Sequence, residues 1–547
     1  MFPRRGSFAF LPPCYYLQQV FAVGIVAWRF EEKRFAFWRI MKMADVKKTY
    51  QQLCAHVRET AMVESIQAVL GWDERTYMPP QAGEYRAEQL TWLAATSHQR
   101  RTMPQLGEWL DICEDSDLVE DVHGETATVI RQLRRDYQKR VKLPQSLVEE
   151  LVRATVLGQQ AWVQARQTDD FASFAPVLTT IIDLKRQQAE AIGYEDSPYD
   201  ALLDDYEPGE TTANVERVLS SLREDLVPLV AAIAESGRQP AVEVLSRDYP
   251  VAQQEQLGKQ IAARIGFNFQ RGRLDVTHHP FCSGMGPFDC RITTRYDENF
   301  FPMAFFGILH EAGHGIYDQG LRTDFYGLPP GEFISLGIHE SQSRLWENQV
   351  GRSRPFWQHM FPALQQTFTT ALQDVTLDQF YFAINEIRPS LIRVEADEAT
   401  YNLHIIIRFE LEQALIQGDL QVVDLPSAWR DKYREFLGIE PPNDADGVLQ
   451  DIHWSAGLIG YFPTYSLGNL YAAQFYARAE EELGDLETLV AEGQFAPLKD
   501  WLQEKIHQPG QCFGANELVE RITGQQLSHQ PLLTYLREKL EPLYGIG

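Results

Sequence analysis

Apolar residues recur at intervals of three and four along most of this chain. Ser146–Leu157 and Phe174–Leu184 both place their aliphatic side chains on one face at the 3.6-residue period of an α-helix. From Ala44 to about Glu190 nearly every segment carries that signature. A loop-rich stretch follows from Gly193 to Thr212, and helical spacing resumes at Val215. A strand signal appears just upstream of residue 300, where Arg291-Ile-Thr-Thr-Arg-Tyr296 is rich in β-branched residues and Leu274–His278 is its expected partner. The pattern predicts a mainly α protein with a small sheet, whose free edge is suited to holding an extended peptide by main-chain hydrogen bonds. No internal repeat, low-complexity tract or Gly/Ser linker interrupts it.

One helix breaks its own pattern. Met303–Tyr317 is almost wholly apolar, yet it carries His310-Glu311-Ala312-Gly313-His314. Gly320 is the expected stop. Polar residues set into an apolar helix are costly unless paired or liganded. Positions i and i+4 share a helical face, so the two imidazoles are one turn apart and suited to holding one Zn²⁺. Glu311 points about 100° round the helix. That direction suits a base taking a proton from an activated water rather than a third ligand.

Catalytic zinc sites generally use three protein ligands. A third histidine at position 320 is excluded, because Gly320 stands there and Tyr317 occupies the position where that layout has glycine. A glutamate from a later helix remains, with Glu332, Glu340 and Glu347 as candidates. Glu332 follows Pro329-Pro330-Gly331 and reads as loop. Glu340 lies in the amphipathic stretch Leu336–Glu347, 26 positions after His314, which leaves room for a connection and a returning helix. Glu340 is the expected ligand. Glu347, two turns further along the same face, is either a supporting residue or a solvated charge. Arg344 stands where some related sites have an aspartate behind a ligand imidazole, which leaves that partner open.

Composition narrows the reading. The chain has 547 residues and a formal net charge of −26. Residues 1–42 carry seven basic and two acidic side chains, which leaves −31 for the rest. So acidic a body is a poor binder of nucleic acid. The six cysteines are scattered without a CxxC pair, which points to reduced thiols and a cytoplasmic setting. The apolar run Phe21–Trp28 is too short to span a bilayer, so no stable membrane insertion is expected. Residues 1–42 are expected to be an extension outside the fold, arising from an upstream start or a targeting segment. Residues 43–547 are expected to form a single domain.

Several further segments agree with one family: His279-Pro280-Phe281, Asp289-Cys-Arg291-Ile-Thr293, His339-Glu340-Ser341-Gln342, Ile392-Arg393-Val-Glu-Ala-Asp397 and Gly447-Val-Leu-Gln-Asp451-Ile-His453-Trp454. Thr76–Pro80 and Pro198–Pro208 fit as well. With His310–His314 in order among them, the chain from about Val46 to Tyr544 resembles the carboxypeptidase Taq family of metallocarboxypeptidases. The resemblance implies a gluzincin-like helical fold with a deep groove between two helical halves. It also implies a zinc cofactor replaceable by cobalt, a homodimer, and release of single C-terminal residues from peptides with broad preference.

Within that reading His310, His314 and Glu340 hold the metal and Glu311 is the general base. His453 and Tyr461 are expected to stabilise the oxyanion, with Tyr465 and His279 lining the groove. A free C-terminus calls for a guanidinium, whose fork matches a carboxylate. Arg393 is the residue the resemblance implies, with Arg291 in reserve; read without the family, Arg393 is better explained by pairing with Asp397 at i+4. The rival readings are an oligopeptidase or dipeptidyl carboxypeptidase of the same chemistry, and a metal-stabilised helical peptide-binding protein without turnover.

Overall fold

The computed structural model describes residues 14–547, with side chains from residue 45 onward. The expected extension, residues 1–42, lies outside the described residues over 1–13 and, in its side chains, over the remainder. The fold is mainly helical with one small sheet, as the periodicity predicts. The first described helix, Cys14–Thr76, buries Leu53 and Val57 against Leu106, Leu110, Leu133 and Leu328 in a minor core. A much larger core runs from Ala165 to Tyr544 and encloses the helices around the site. Among the described residues no helix is long and apolar enough to cross a membrane.

The sheet has three strands in the order β1–β3–β2, namely β1 (Gly272–Val276), β2 (Cys282–Gly286) and β3 (Asp289–Thr294). The expected pair forms: β1 runs parallel to β3 with Leu274 opposite Ile292. Strand β2 carries no propensity signal, since Cys-Ser-Gly-Met-Gly lacks β-branched residues. It forms because β3 offers an open ladder edge, and it pairs antiparallel with an irregularity between Gly284 and Gly286.

The motif helix, Phe301–Gly320, packs on this sheet. Pro302 sits in its first turn, where a missing N–H leaves no bond unmade. Phe301 and Phe305 lock that end among Phe356, Trp357, Phe368 and Phe380. The next long element is the helix Leu336–Arg344, which continues into a π-helical turn, Leu345–Val350. Ser335 caps it by accepting from the Ile338 N–H. Behind that cap the buried Glu207 accepts from Ser335 Oγ (2.7 Å), Gly337 N–H (2.9 Å) and Tyr471 OH (3.1 Å). A carboxylate at a helix N-terminus suits the exposed donors and the dipole there.

Two glycines set how closely these helices approach. A Cβ on Gly313, inside the motif, would stand 2.5 Å from Gln342 O and 2.7 Å from Ser343 Cα. A Cβ on Gly468, in the helix Pro463–Leu483, would stand 2.5 Å from Glu340 Cγ. Glycine at both positions lets Glu340 be pressed against the motif helix from behind.

Candidate metal centre and active site

The motif helix presents His310 and His314 on one face, and the antiparallel return brings Glu340 to them. Glu340 Oε2 lies 3.7 Å from His310 Nε2 and 3.4 Å from His314 Nε2. A tetrahedral ion with bonds of about 2.1 Å has edges of about 3.4 Å, so the three donor atoms are spaced as ligands of one small cation. The remaining atom of two of these ligands is already held. His310 Nδ1 bonds Glu347 Oε2 at 2.9 Å, and Glu340 Oε1 accepts from Arg344 Nε at 2.7 Å. Arg344 also donates to Glu347 Oε2 at 3.1 Å. Glu347 is therefore a supporting residue and not a solvated charge, and it fills the place that Arg344 left open in the sequence. A carboxylate on Nδ1 fixes the tautomer with the Nε2 lone pair free for a metal. The donor set fits a divalent cation.

Charge compensation explains the ionisation of these groups. Burial opposes the charge on Glu340, but Arg344 and the two histidines outweigh it and hold the carboxyl far below its usual range. Glu347 is held at about 2 against burial by Arg344 and His310. His314 is pushed down to about 4 by burial and by His339, so it is a neutral imidazole. Glu311 is buried without such cover, and burial pushes it up to about 7.

These residues open into a cavity of about 660 Å³. Glu311, Tyr461 and Tyr465 line it with His310, His314 and Glu340, and so do β2, Arg271 and Glu332. His453 stands one layer behind. It is buried, its Nε2 is 3.3 Å from Tyr465 OH, and burial pushes it down to about 4.

Arg393 is also behind the wall. It is 5 % exposed and donates to Asp451 Oδ1 through Nε (3.0 Å) and Nη2 (2.8 Å), and to Tyr401 OH (3.0 Å). Arg408 donates to the other oxygen of Asp451. Asp397 takes no part in that pairing; it accepts from the backbone of Ala399 and Thr400 at the start of the helix Thr400–Gln417. Arg291 pairs with Asp289 and lies over the Trp72 ring. His279 is exposed between β1 and β2, beside the cavity-lining Pro280.

Sequence reasoning missed three residues here. Asp318 lies one turn past His314 and accepts from or pairs with His339 Nε2 at 2.9 Å, while His339 stacks on His314. Its i+4 spacing was visible. Glu207 gave no local signal, because its partners are 128 or more positions away. Arg271 lines the cavity with its guanidinium over the Phe288 ring and makes no ion pair or side-chain hydrogen bond among the described residues.

A helical scaffold, two histidines one turn apart, a glutamate from the following helix and a carboxylate base beside them define a metallopeptidase. Comparison with known proteins narrows the class. The model of the family described as "Carboxypeptidase Taq (M32) metallopeptidase" matches residues 52–540. Thermostable carboxypeptidase 1 of Thermus thermophilus is 46 % identical over 505 residues, 91 % of this chain and 99 % of that protein. Carboxypeptidase 1 of Bacillus subtilis is 38 % identical, covering 87 % of this chain and 95 % of that protein. The crystal structure of the M32 carboxypeptidase from Deinococcus radiodurans R1 superposes with a TM-score of 0.88 at 41 % identity, over 91 % of this chain and all of that one. The chain belongs to the carboxypeptidase Taq (M32) family and is a metallocarboxypeptidase.

Proposed function

We propose that the protein is a zinc-dependent carboxypeptidase that releases single C-terminal residues from peptides with broad preference, using Glu311 as general base. The observation that carries this reading is the convergence of His310 Nε2, His314 Nε2 and Glu340 Oε2 beside an uncompensated Glu311. Two imidazoles and one carboxylate suit Zn²⁺, and Co²⁺ is accepted by the same donors. A bound ion supplies Lewis acidity toward the scissile carbonyl and makes water a stronger nucleophile at neutral pH.

The protein's own groups do the rest. Glu311, with its carboxyl raised toward neutrality, takes a proton from the attacking water and passes it to the leaving amine. Tyr461, which lines the cavity, donates its hydroxyl to the oxyanion, and His453 steadies the neighbouring Tyr465. The terminal carboxylate requires a guanidinium. Arg393 is committed to Asp451 and Tyr401, so we assign first contact to Arg271, with Arg393 fixing the tyrosine wall. His279 and Arg291 do not line the cavity itself: His279 only neighbours the lining Pro280, and Arg291 is held by Asp289 and the Trp72 ring.

The cavity wall sets Ala61, Ala68, Ser283 and Gly284 among side chains of both signs (Glu64, Glu332, Arg271, Arg322), so no one charge selects the terminal side chain, in keeping with broad preference. A homodimer through the helix Cys14–Thr76 and the following helix Gly83–Thr102 would cover the exposed Met62, Ile66, Tyr85 and Trp92. The free cysteines suit a reducing cytoplasm. Residues 43–547 act as one domain, with residues 1–42 as an appendage.

Digestion of a peptide with a blocked N-terminus, followed by mass spectrometry, tests the reading. Stepwise loss of single C-terminal residues, abolished by a chelator and by C-terminal amidation, is the expected result. Cleavage of the amidated peptide would instead mean an oligopeptidase, and release of pairs a dipeptidyl carboxypeptidase. Glu311→Gln should lower kcat by about 10³-fold with metal content unchanged; full activity in that variant would remove Glu311 from its role.

A further inference from the structure

The cavity wall holds a second convergence of ligating atoms that the peptidase chemistry does not use. Cys282 on β2 and Cys290 on β3 point to the same side of the sheet, with Cys282 opposite Ile292 and Cys290 opposite Gly284. Their sulfurs are 3.6 Å apart. Asp318, two turns past His310 on the motif helix, brings Oδ2 to 3.9 Å from Cys282 Sγ and 3.8 Å from Cys290 Sγ. The three atoms form a nearly equilateral triangle. A tetrahedral ion with metal–sulfur bonds of about 2.3 Å has edges of about 3.8 Å. Two thiols in simple contact would explain one side of that triangle; the carboxylate oxygen closes the other two.

The surroundings agree with a cation. Among the described residues no lysine or arginine contacts any of the three donors. Asp318 is oriented through its other oxygen, which meets His339 Nε2 at 2.9 Å. A carboxylate held in this way is the kind of support that sets ligand geometry in metal sites. All three residues line the same cavity as Glu311.

We propose that Cys282, Cys290 and Asp318 form a second metal site, selective for thiophilic divalent cations such as Zn²⁺, Co²⁺ or Cd²⁺, distinct from the His310–His314–Glu340 centre. Binding replaces the thiol protons, which are released to solvent, and ties strands β2 and β3 to the motif helix. Through Asp318 and His339 the clamp reaches the residue next to Glu340.

Cobalt distinguishes the two centres, because the His310–His314–Glu340 set contains no sulfur. The full-length protein, purified under reducing conditions and stripped by a chelator, should take up two equivalents of Co²⁺ per chain. One of them should bring an intense near-ultraviolet thiolate-to-cobalt band. Cys282→Ser and Cys290→Ser should each lose that band and one equivalent. Asp318→Asn should weaken the same equivalent about 10–100-fold. The double variant His310→Ala, His314→Ala should lose the other equivalent and keep the band, so failure here is separable from failure of the catalytic reading.

Should the cysteine variants not fold, alkylation of the unaltered protein decides. Zn²⁺ beyond the first equivalent should protect the peptides bearing Cys282 and Cys290 from a thiol reagent. Uptake of a single equivalent without a sulfur band, thiols equally reactive with and without Zn²⁺, or a Cys282–Cys290 disulfide that excludes metal would each overturn the proposal.

Discussion

Two buried charged clusters flank the tyrosine wall of the cavity, and they are built on opposite principles. Around Asp451 both carboxylate oxygens are consumed: Arg393 takes one and Arg408 the other, and Arg393 also donates to Tyr401 OH and, through its backbone N–H, to Gln450 Oε1. Around Glu340 only one side of each of two ligands is consumed. Arg344 holds Oε1 of Glu340 and Glu347 holds Nδ1 of His310, while Oε2, which accepts one long bond from Ser343 Oγ (3.2 Å), and both Nε2 atoms are turned toward one point. Burial alone does not mark a functional site. A cluster that closes on itself is a brace, and one that leaves lone pairs converging is a receptor for a cation.

The comparison can be broken by removing the carboxylate from each cluster. Asp451→Asn should be the more damaging to the fold, since it leaves Arg393 and Arg408 buried beside a neutral amide. A loss of about 3–5 kcal/mol in denaturant unfolding is expected; an unchanged midpoint would mean that the guanidiniums find water or other partners. Glu347→Gln should spare the fold and weaken metal binding by about 10–100-fold, measured by competition with a chromophoric chelator. Equal metal affinity in that variant would strip Glu347 of its supporting role. Gly468→Ala sharpens the difference, because it pushes on Glu340 without touching Asp451. It should cost about 1–3 kcal/mol and lower metal affinity together, read by thermal melts with and without Zn²⁺.

The smallest effect is one of pH. Burial pushes Glu207 up to about 7 from an unfolded value of about 4.3. The protonated form is thus favoured on folding. Its contribution is fully present below pH 4.3 and is lost as pH rises through 7. Stability of Glu207→Gln relative to the unaltered protein should therefore improve between pH 4.5 and 7, followed by urea midpoints. A difference that is flat across that window would show Glu207 ionised throughout.

Much of the site was legible because helices write their chemistry locally. His310, Glu311 and His314 declare a shared face by spacing alone, and Glu340 follows from the need for a third ligand on a returning helix. The part of Glu347 was legible as a position but not as a bond, since that bond crosses 37 residues. Arg393 shows the opposite limit. Its motif marks it out, but no local rule tells a guanidinium that will face a cavity from one that will be shared with Asp451, 58 positions away. Strand β2 was invisible for a related reason, since its residues have no extended preference and its partner strand alone makes it one.

The sequence by itself determined the helical class, the metal-binding turn and the base beside it, because each depends on a periodicity that the backbone enforces within a few residues. Tertiary structure alone decided which buried charges neutralise one another and which stay open, how near Gly313 and Gly468 let the helices come, and that Cys282, Cys290 and Asp318 meet. Those outcomes rest on distances of a few tenths of an ångström between segments far apart in the chain, and the packing of the core sets them.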